Sequence, residues 1–156
     1  MTKLNLPTYN FQFKETEKGL HIFDSVRKKF IFLTLEEWVR QNFIQYLIND
    51  KKYPSSLIAI ETGLKYNQLK KRSDITIYDR KGEIWMIVEC KKPTIKISRS
   101  TFDQIAAYNM GGKTKSKFLT VTNGIKHYCC QMCDFELKNE SEKPTYAFLK
   151  NIPEFD

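Results

Sequence analysis

The sequence predicts an α/β fold: a mixed central β-sheet flanked by helices, with an antiparallel β-ribbon at the N-terminus. Three observations predict it. The apolar pattern switches along the chain between a period of two and a helical period. The segments alternate strands, helix, strands, helix, strands, an order typical of α/β or α+β layers. The run "IWMIVEC", from Ile84 to Cys90, is almost wholly apolar, as a strand covered on both faces must be.

The segment "YNFQFKETEKGLHIFDSVRKKFIFLT" holds short β-prone runs separated by "EKG" and "SVRKK", which makes residues 1–33 a ribbon. From Leu35 the period becomes helical, with Leu35, Val39, Phe43 and Tyr46 or Leu47 on one stripe. Thr34 and Glu37 have the spacing of a capping box at its start. "SLIAIETGL" reads as a strand. A hairpin follows, its first strand beginning at Asp74 and its second ending in Glu89, Cys90 and Lys91. Its turn centres on Asp79-Arg80-Lys81-Gly82, where Gly82 supplies a positive φ.

"RSTFDQIAAYNMGG" is a second helix, with Phe102, Ile105, Ala106 and Asn109 or Met110 facing inward. Thr101 and Gln104 suggest its cap and Gly111-Gly112 its end. "KFLTVTNGIKHYCCQM" is a pair of strands about Asn123-Gly124, a strong hairpin signal. The tail adds one more hairpin. With no repeat or linker-like tract, residues 1–156 are expected to be one domain: ribbon 1–33, core 34–131 and C-terminal extension 132–156.

A chain of 156 residues can bury a sizeable core without cross-links. Its net charge of +8 points to a polyanionic partner, foremost nucleic acid. There is no apolar leader and no stretch of transmembrane length, so a cytoplasmic protein without membrane contact is expected. The four cysteines then read as reduced thiols. Cys130 and Cys133 have zinc-knuckle spacing, but a structural zinc needs four ligands and no second pair exists. Buried free cysteines are the better reading, Cys90 included.

The hairpin's charged ends carry the chemistry. Side chains alternate along a strand, so Glu89 and Lys91 share a face and Cys90 takes the other. Asp74 falls opposite a residue between Ile87 and Glu89. Cross-strand neighbours lie about 4.5–5.5 Å apart, and two carboxylates so placed repel unless a cation sits between them. A hard divalent ion, Mg²⁺ or Mn²⁺, suits oxygen donors. A lysine two residues on can orient a water or stabilise charge developing on a phosphate. The competing reading is a solvated strand end with carboxylates paired to cross-strand lysines. The apolar character of "IWMIVEC" weighs against it, because a glutamate there is costly without a partner.

Asp74, fourteen intervening residues, then Glu89-x-Lys91 resembles the core motif of the PD-(D/E)XK nuclease superfamily. More narrowly, "LEEWVRQNFIQYLI", "LIAIETGL", "KKRSDITIYDR", "IVECKKP", "TFDQIAAYNM" and "LTVTNG" together resemble the N-terminal nuclease domain of type I restriction enzyme R subunits, from about Leu35 to Gly124. The resemblance implies a restriction-endonuclease-like fold, with Asp74 and Glu89 binding Mg²⁺ or Mn²⁺ and Lys91 assisting the attacking water. Ser73 stands where the motif has proline. Gln104 and Tyr108 match a Gln-x-x-x-Tyr element whose side chains reach the scissile phosphate or adjacent DNA; their structural alternatives are a helix cap and a partly buried ring. The family's first helix contributes a glutamate, here Glu36 or Glu37, with Glu36 favoured because Glu37 has the capping role. Glu61 is a further candidate acidic neighbour if its strand lies beside the hairpin; the alternative is a solvated strand-end glutamate.

Lys71, Arg72, Lys92, Lys96 and Arg99 are candidate phosphate contacts, with Lys113, Lys115 and Lys117 beyond them; charge runs of this kind are often only solvated surface. The expected activity is Mg²⁺-dependent hydrolysis of DNA phosphodiesters, endonuclease before exonuclease. The alternative is a non-catalytic DNA-binding or interaction module that retains the nuclease fold. An R subunit continues into an ATP-driven translocase, whereas this chain ends at Asp156. A stand-alone protein is therefore expected, with other restriction-system or translocase chains as candidate partners.

Overall fold

The computed structural model describes residues 1–66, 69–110, 116–132 and 146–156, and the side chains of all these except 61–66, 69–73 and 108–110. Strands β1 (Phe13–Thr16), β2 (Gly19–Asp24) and β3 (Lys29–Phe32) form the expected ribbon, an antiparallel sheet in the order β1-β2-β3. Helix α1 (Leu35–Gln45) follows and runs on as a π-helical turn over Tyr46–Asp50. After a single 3-10 turn come β4 (Ile58–Tyr66), β5 (Leu69–Tyr78), β6 (Ile84–Cys90), helix α2 (Arg99–Met110), β7 (Phe118–Thr122), β8 (His127–Met132) and β9 (Tyr146–Leu149).

These six strands make one mixed sheet in the order β4-β5-β6-β7-β8-β9, antiparallel throughout except for the parallel pair β6–β7 that α2 connects. The sheet separates two apolar layers. On one face α1 and its π-helical extension place Val39, Phe43, Ile44 and Leu47 against Ile75, Ile77, Met86, Val88 and Cys90. On the other, α2 places Phe102 and Ala106 against Ile87, Leu119, Val121 and Cys130. Strand β6 supplies residues to both layers, which is why its sequence is apolar at successive positions.

Some local expectations change. Leu35 is 47% exposed, so the buried stripe of α1 starts at Val39. Thr34 caps α1 by accepting from the Glu37 N–H at 3.0 Å, but the Glu37 carboxylate turns to Arg27, Arg40 and Gln41 instead of completing the box. The cap of α2 is Ser98, whose Oγ accepts from the Thr101 N–H at 3.2 Å; the helix therefore begins ahead of the expected Thr101–Gln104 box. Phe102 and Ala106 are buried as expected, while the side chains of Asn109 and Met110, and Gly111-Gly112, lie outside the described residues.

Strand β5 starts at Leu69 rather than Asp74, because pairing with β4 (Thr62↔Ser73, Tyr66↔Leu69) continues past the last residue of β6. In the tail, β9 pairs with β8 (Cys129↔Leu149, Met132↔Tyr146), so it widens the central sheet; residues 133–145 are outside the described set.

Turns set the register. In the β5–β6 turn, Asp79 Oδ1 accepts the N–H groups of Lys81 and Glu83 at 2.8 and 2.9 Å, and Gly82 adopts φ +85°. The pairing shifts between Ile77↔Met86 and Tyr78↔Ile84, a bulge that leaves Trp85 as the extra residue. Both Trp85 and Met86 thereby enter the α1-side core. The turn between β7 and β8 is tied to the N-terminus: Gly124, at φ +85°, lies under Leu4, and its carbonyl accepts from the Asn5 N–H at 2.8 Å. A Cβ at Gly124 would stand 2.7 Å from Leu4 Cδ2. Gly124→Ala should therefore cost about 1–3 kcal/mol, read as a lowered urea midpoint with an unchanged m-value.

Candidate functional site

The pairing of β5 with β6 runs to Ile75↔Val88, and Asp74 and Glu89 are the residues next beyond it on the two strands. Val88 and Cys90 both belong to the α1-side core, so Glu89 between them points to the opposite face, as Ile87 does. Lys91 follows directly, its backbone N–H donating to the Thr122 carbonyl at 2.8 Å. The chain then stays anchored on its way to α2: the Asn123 side-chain amide donates to the Ile95 carbonyl at 2.7 Å, and Ile97 is buried. The three residues of the sequence motif thus lie at one end of the sheet, where β6 and β7 finish, with Asp74 bonded to Arg40 on the α1 side and Glu89 on the strand's other face.

Asp74 is held at both oxygens. Its Oδ2 accepts from the Cys90 N–H at 2.7 Å and its Oδ1 from Arg40 Nη2 at 2.9 Å. Arg40 comes from α1 and is buried, with its other terminal nitrogen donating to Glu37 Oε2. The other Glu37 oxygen accepts from Arg27 and from the Gln41 amide, the latter at 3.0 Å. Arg27 in turn donates through Nε to Asp24 Oδ2 at 2.6 Å, and Gln41 bridges to the same oxygen at 2.8 Å. Asp24 Oδ1 accepts the N–H groups of Val26 and Arg27, both at 2.8 Å. A buried chain of charges therefore runs from the end of β2, through α1, to Asp74.

Charge states follow from this arrangement. Burial acts to raise the Asp24 carboxyl, but hydrogen bonds from the Arg27 backbone, the Arg27 side chain and Gln41 outweigh it and hold it below the usual range. Burial opposes the Arg40 charge, yet Glu37 and Asp74 keep it protonated, above its ordinary value. Glu36 is raised, first by burial and then by the Asp74 carboxylate, while Arg40 and Lys91 act against both. Its Oε1 lies 3.9 Å from Arg40 Nη2. Glu36, Asp74, Lys91 and Arg40 thus share one electrostatic neighbourhood, and Glu89 is felt there too, at Cys90. Glu37 is spent on the arginines, which leaves Glu36 as the helix glutamate facing Asp74.

The other predicted residues divide. Gln104 is exposed on α2, two residues from each of the buried Phe102 and Ala106 and so on the far side of the helix from the sheet. Lys92, Lys96 and Arg99 are exposed along the segment from Lys91 to α2. Arg99 also pairs with Asp103 at 3.3 Å and lies over the Phe148 ring at 5.0 Å. Lys117 sits at the opposite end of the sheet, its Nζ over the Trp85 ring at 4.8 Å. The side chains of Tyr108, Glu61, Lys71 and Arg72, together with Lys113, Lys115 and Cys133, lie outside the described residues. Cys90, Cys129 and Cys130 are buried free thiols; burial raises Cys90 well above the ordinary value and Cys129 to about 11, so neither is an activated nucleophile. A cavity of about 410 Å³ opens beside Arg99, Phe102, Tyr128 and Phe148, and Asp74, Glu89 and Lys91 do not line it.

Arg27, Asp24, Gln41 and the bond from Arg40 to Asp74 are what sequence reasoning missed. The available signal was Glu37-x-x-Arg40-Gln41 on the apolar side of a helix, where polar groups need partners.

The donor set suits a hard divalent cation. Each Asp74 oxygen accepts one hydrogen bond and keeps a second lone pair, and Glu89 adds carboxylate oxygens. Among the described residues no three acidic, histidine or cysteine side chains are grouped so as to hold a metal ion. Mg²⁺ does not require such a group, since it binds through one or two carboxylates, water and substrate phosphates.

The model of the family described as type I restriction enzyme R protein N terminus matches residues 35–153. No curated protein matches the chain. The matched segment starts at the first residue of α1 and takes in the whole central sheet, while β1–β3 precede it.

His127 Nε2 faces the Asn5 carbonyl at 2.9 Å and Nδ1 faces Thr122 Oγ1 at 2.7 Å, which assigns the neutral ring with its proton on Nε2. Burial holds the imidazole below 6.5, with the Asn5 contact opposing that shift. The unfolded ring takes up a proton as pH falls through 6.5, whereas the folded ring titrates lower. Stability should thus be full above that value and decline below it until the folded ring protonates. Urea titrations at several pH values should show this step in the wild type and its loss in His127→Gln. The low-lying Asp24 adds a second loss beneath 3.8.

Proposed function

Because the chain belongs to the family of type I restriction enzyme R protein N termini, we propose that it is a metal-dependent deoxyribonuclease of the PD-(D/E)XK type. The observation that supports this reading is the position of Asp74 and Glu89 just past the end of the β5–β6 pairing, with Lys91 two residues beyond Glu89. Asp74 and Glu89 would hold Mg²⁺ or Mn²⁺ together with water and substrate phosphate, while Glu36 on α1 acts on Asp74 only through its charge. Such an ion, when bound, supplies Lewis-acid stabilisation of charge on a phosphate and lowers the pKa of water.

The protein's own groups do the rest. Lys91 starts from a backbone fixed to Thr122, so its ammonium can orient the attacking water and face developing negative charge. Exposed Lys92, Lys96 and Arg99 give a basic approach for the DNA backbone, of a kind that reads phosphates rather than bases. Gln104 and Tyr108 are proposed to contact DNA from α2. Other restriction-system chains are the partners that family membership suggests, and a cytoplasmic setting fits the three buried thiols.

A second reading, a DNA-binding module without turnover, is favoured by one feature: the Arg40 guanidinium already faces Asp74. Cleavage of plasmid and linear DNA in Mg²⁺, Mn²⁺ or EDTA separates the two. The nuclease reading expects metal-dependent cutting, lost at least about 100-fold in Asp74→Asn, Glu89→Ala and Lys91→Ala. DNA binding by all four proteins with no cutting by any would select the second reading.

A further inference from the structure

The ion-pair chain behind Asp74 has a consequence for how the site is built. Among the described residues its members include Asp24, Arg27, Glu37 and Arg40, two carboxylates and two guanidiniums whose formal charges cancel. Arg40 is thereby balanced by Glu37 before it reaches Asp74. Its contact with Asp74 is a charge-assisted hydrogen bond of fixed direction. Together with the Cys90 N–H on the other oxygen, that bond fixes the plane of the carboxylate and directs its remaining lone pairs. Hydrogen bonds to a ligating carboxylate commonly serve this purpose.

We infer that Arg40 is the positioning residue for Asp74, and that the N-terminal sheet is part of the site's machinery because Asp24 and Arg27 hold Arg40 through Glu37. Both Asp24 and Arg27 precede the segment that the family matches. The planar fork of arginine is what the geometry needs: one terminal nitrogen bonds Glu37 and the other bonds Asp74. A lysine keeps the charge but cannot span two carboxylates in fixed directions. The metal-related part of the inference rests on the nuclease reading; the positional part does not.

Two measurements test it. The first needs neither metal nor DNA: amide hydrogen exchange of Cys90, whose N–H is bonded to Asp74 Oδ2. Arg40→Lys and Arg40→Gln should speed this exchange at least tenfold while the amides of Ile87 and Leu119 stay protected. Arg27→Gln should act in the same direction with smaller size. Because replacing Arg40 leaves the buried Glu37 without one of its arginine partners and can lower stability, the double variant Glu37→Gln/Arg40→Gln removes both charges and should give the same Cys90 signature. The second measurement is Mn²⁺ affinity, expected to fall about 10–100-fold in the Arg40 variants. Unchanged Cys90 exchange in folded variants overturns the inference, as does tighter Mn²⁺ binding, which would make Arg40 a competitor of the ion. A wild type that neither binds Mn²⁺ nor cuts DNA, with Cys90 exchange still responding to Arg40, removes the nuclease reading and leaves the positional inference standing.

Discussion

A guanidinium buried between α1 and the central sheet organises this protein. The Arg40 side chain is 5% exposed, and an ion so placed is tolerable only with charged partners in good geometry. Glu37 and Asp74 provide them, one from the same helix and one from β5. Removing one partner of such a pair typically costs about 3–5 kcal/mol, because the other is left as an uncompensated buried charge. The ion pairs therefore constrain where α1 lies against the sheet and how the N-terminal strands attach to it. Apolar contacts alone would tolerate sliding; a chain of directed hydrogen bonds does not.

The sheet's topology supplies the other half of the arrangement. Strands β6 and β7 run parallel with α2 between them, so Glu89 and Thr122 arrive at the same end of the sheet. In α/β proteins that end is where ligands are met, since the loops leaving the strands open there. Strand β5 runs the other way and passes beyond the end of β6, bringing Asp74 from mid-strand to the Cys90 backbone at that end. The acidic residues are thus carried by paired backbone rather than by a free loop, which limits their motion. The Cys90 thiol, turned to the α1 side, packs the reverse of the same strand.

Much of this was legible from residue order. The apolar run at Ile84–Cys90, the Gly82 turn and the Asn123-Gly124 turn identify the strands through local backbone chemistry. Val39, Phe43 and Leu47 mark the buried face of α1 through their spacing. The reading failed where a neighbouring element overrides local preference. Leu35 has helical spacing but nothing in the sequence says that burial begins one turn later. Ser98 caps α2 ahead of Thr101 because both are competent caps, and the fold chooses between them. The strand from Leu69 to Arg72 is rich in lysine and arginine and reads as a lead-in, yet pairing with β4 makes it β-structure.

By itself the sequence determined the α/β class, the hairpin bearing Asp74, Glu89 and Lys91, and the family to which those residues belong, since each rests on spacing along one chain. Only the tertiary structure decided which helix glutamate faces Asp74 and which is bound to arginines. Glu36 and Glu37 are adjacent, equally acidic and both in the first turn of α1. Their difference comes from Arg27, ten residues before Glu37, and from Asp74, reached only when β5 packs beside α1. Ion pairs of that kind depend on where elements meet in space, and no periodicity or local spacing encodes them.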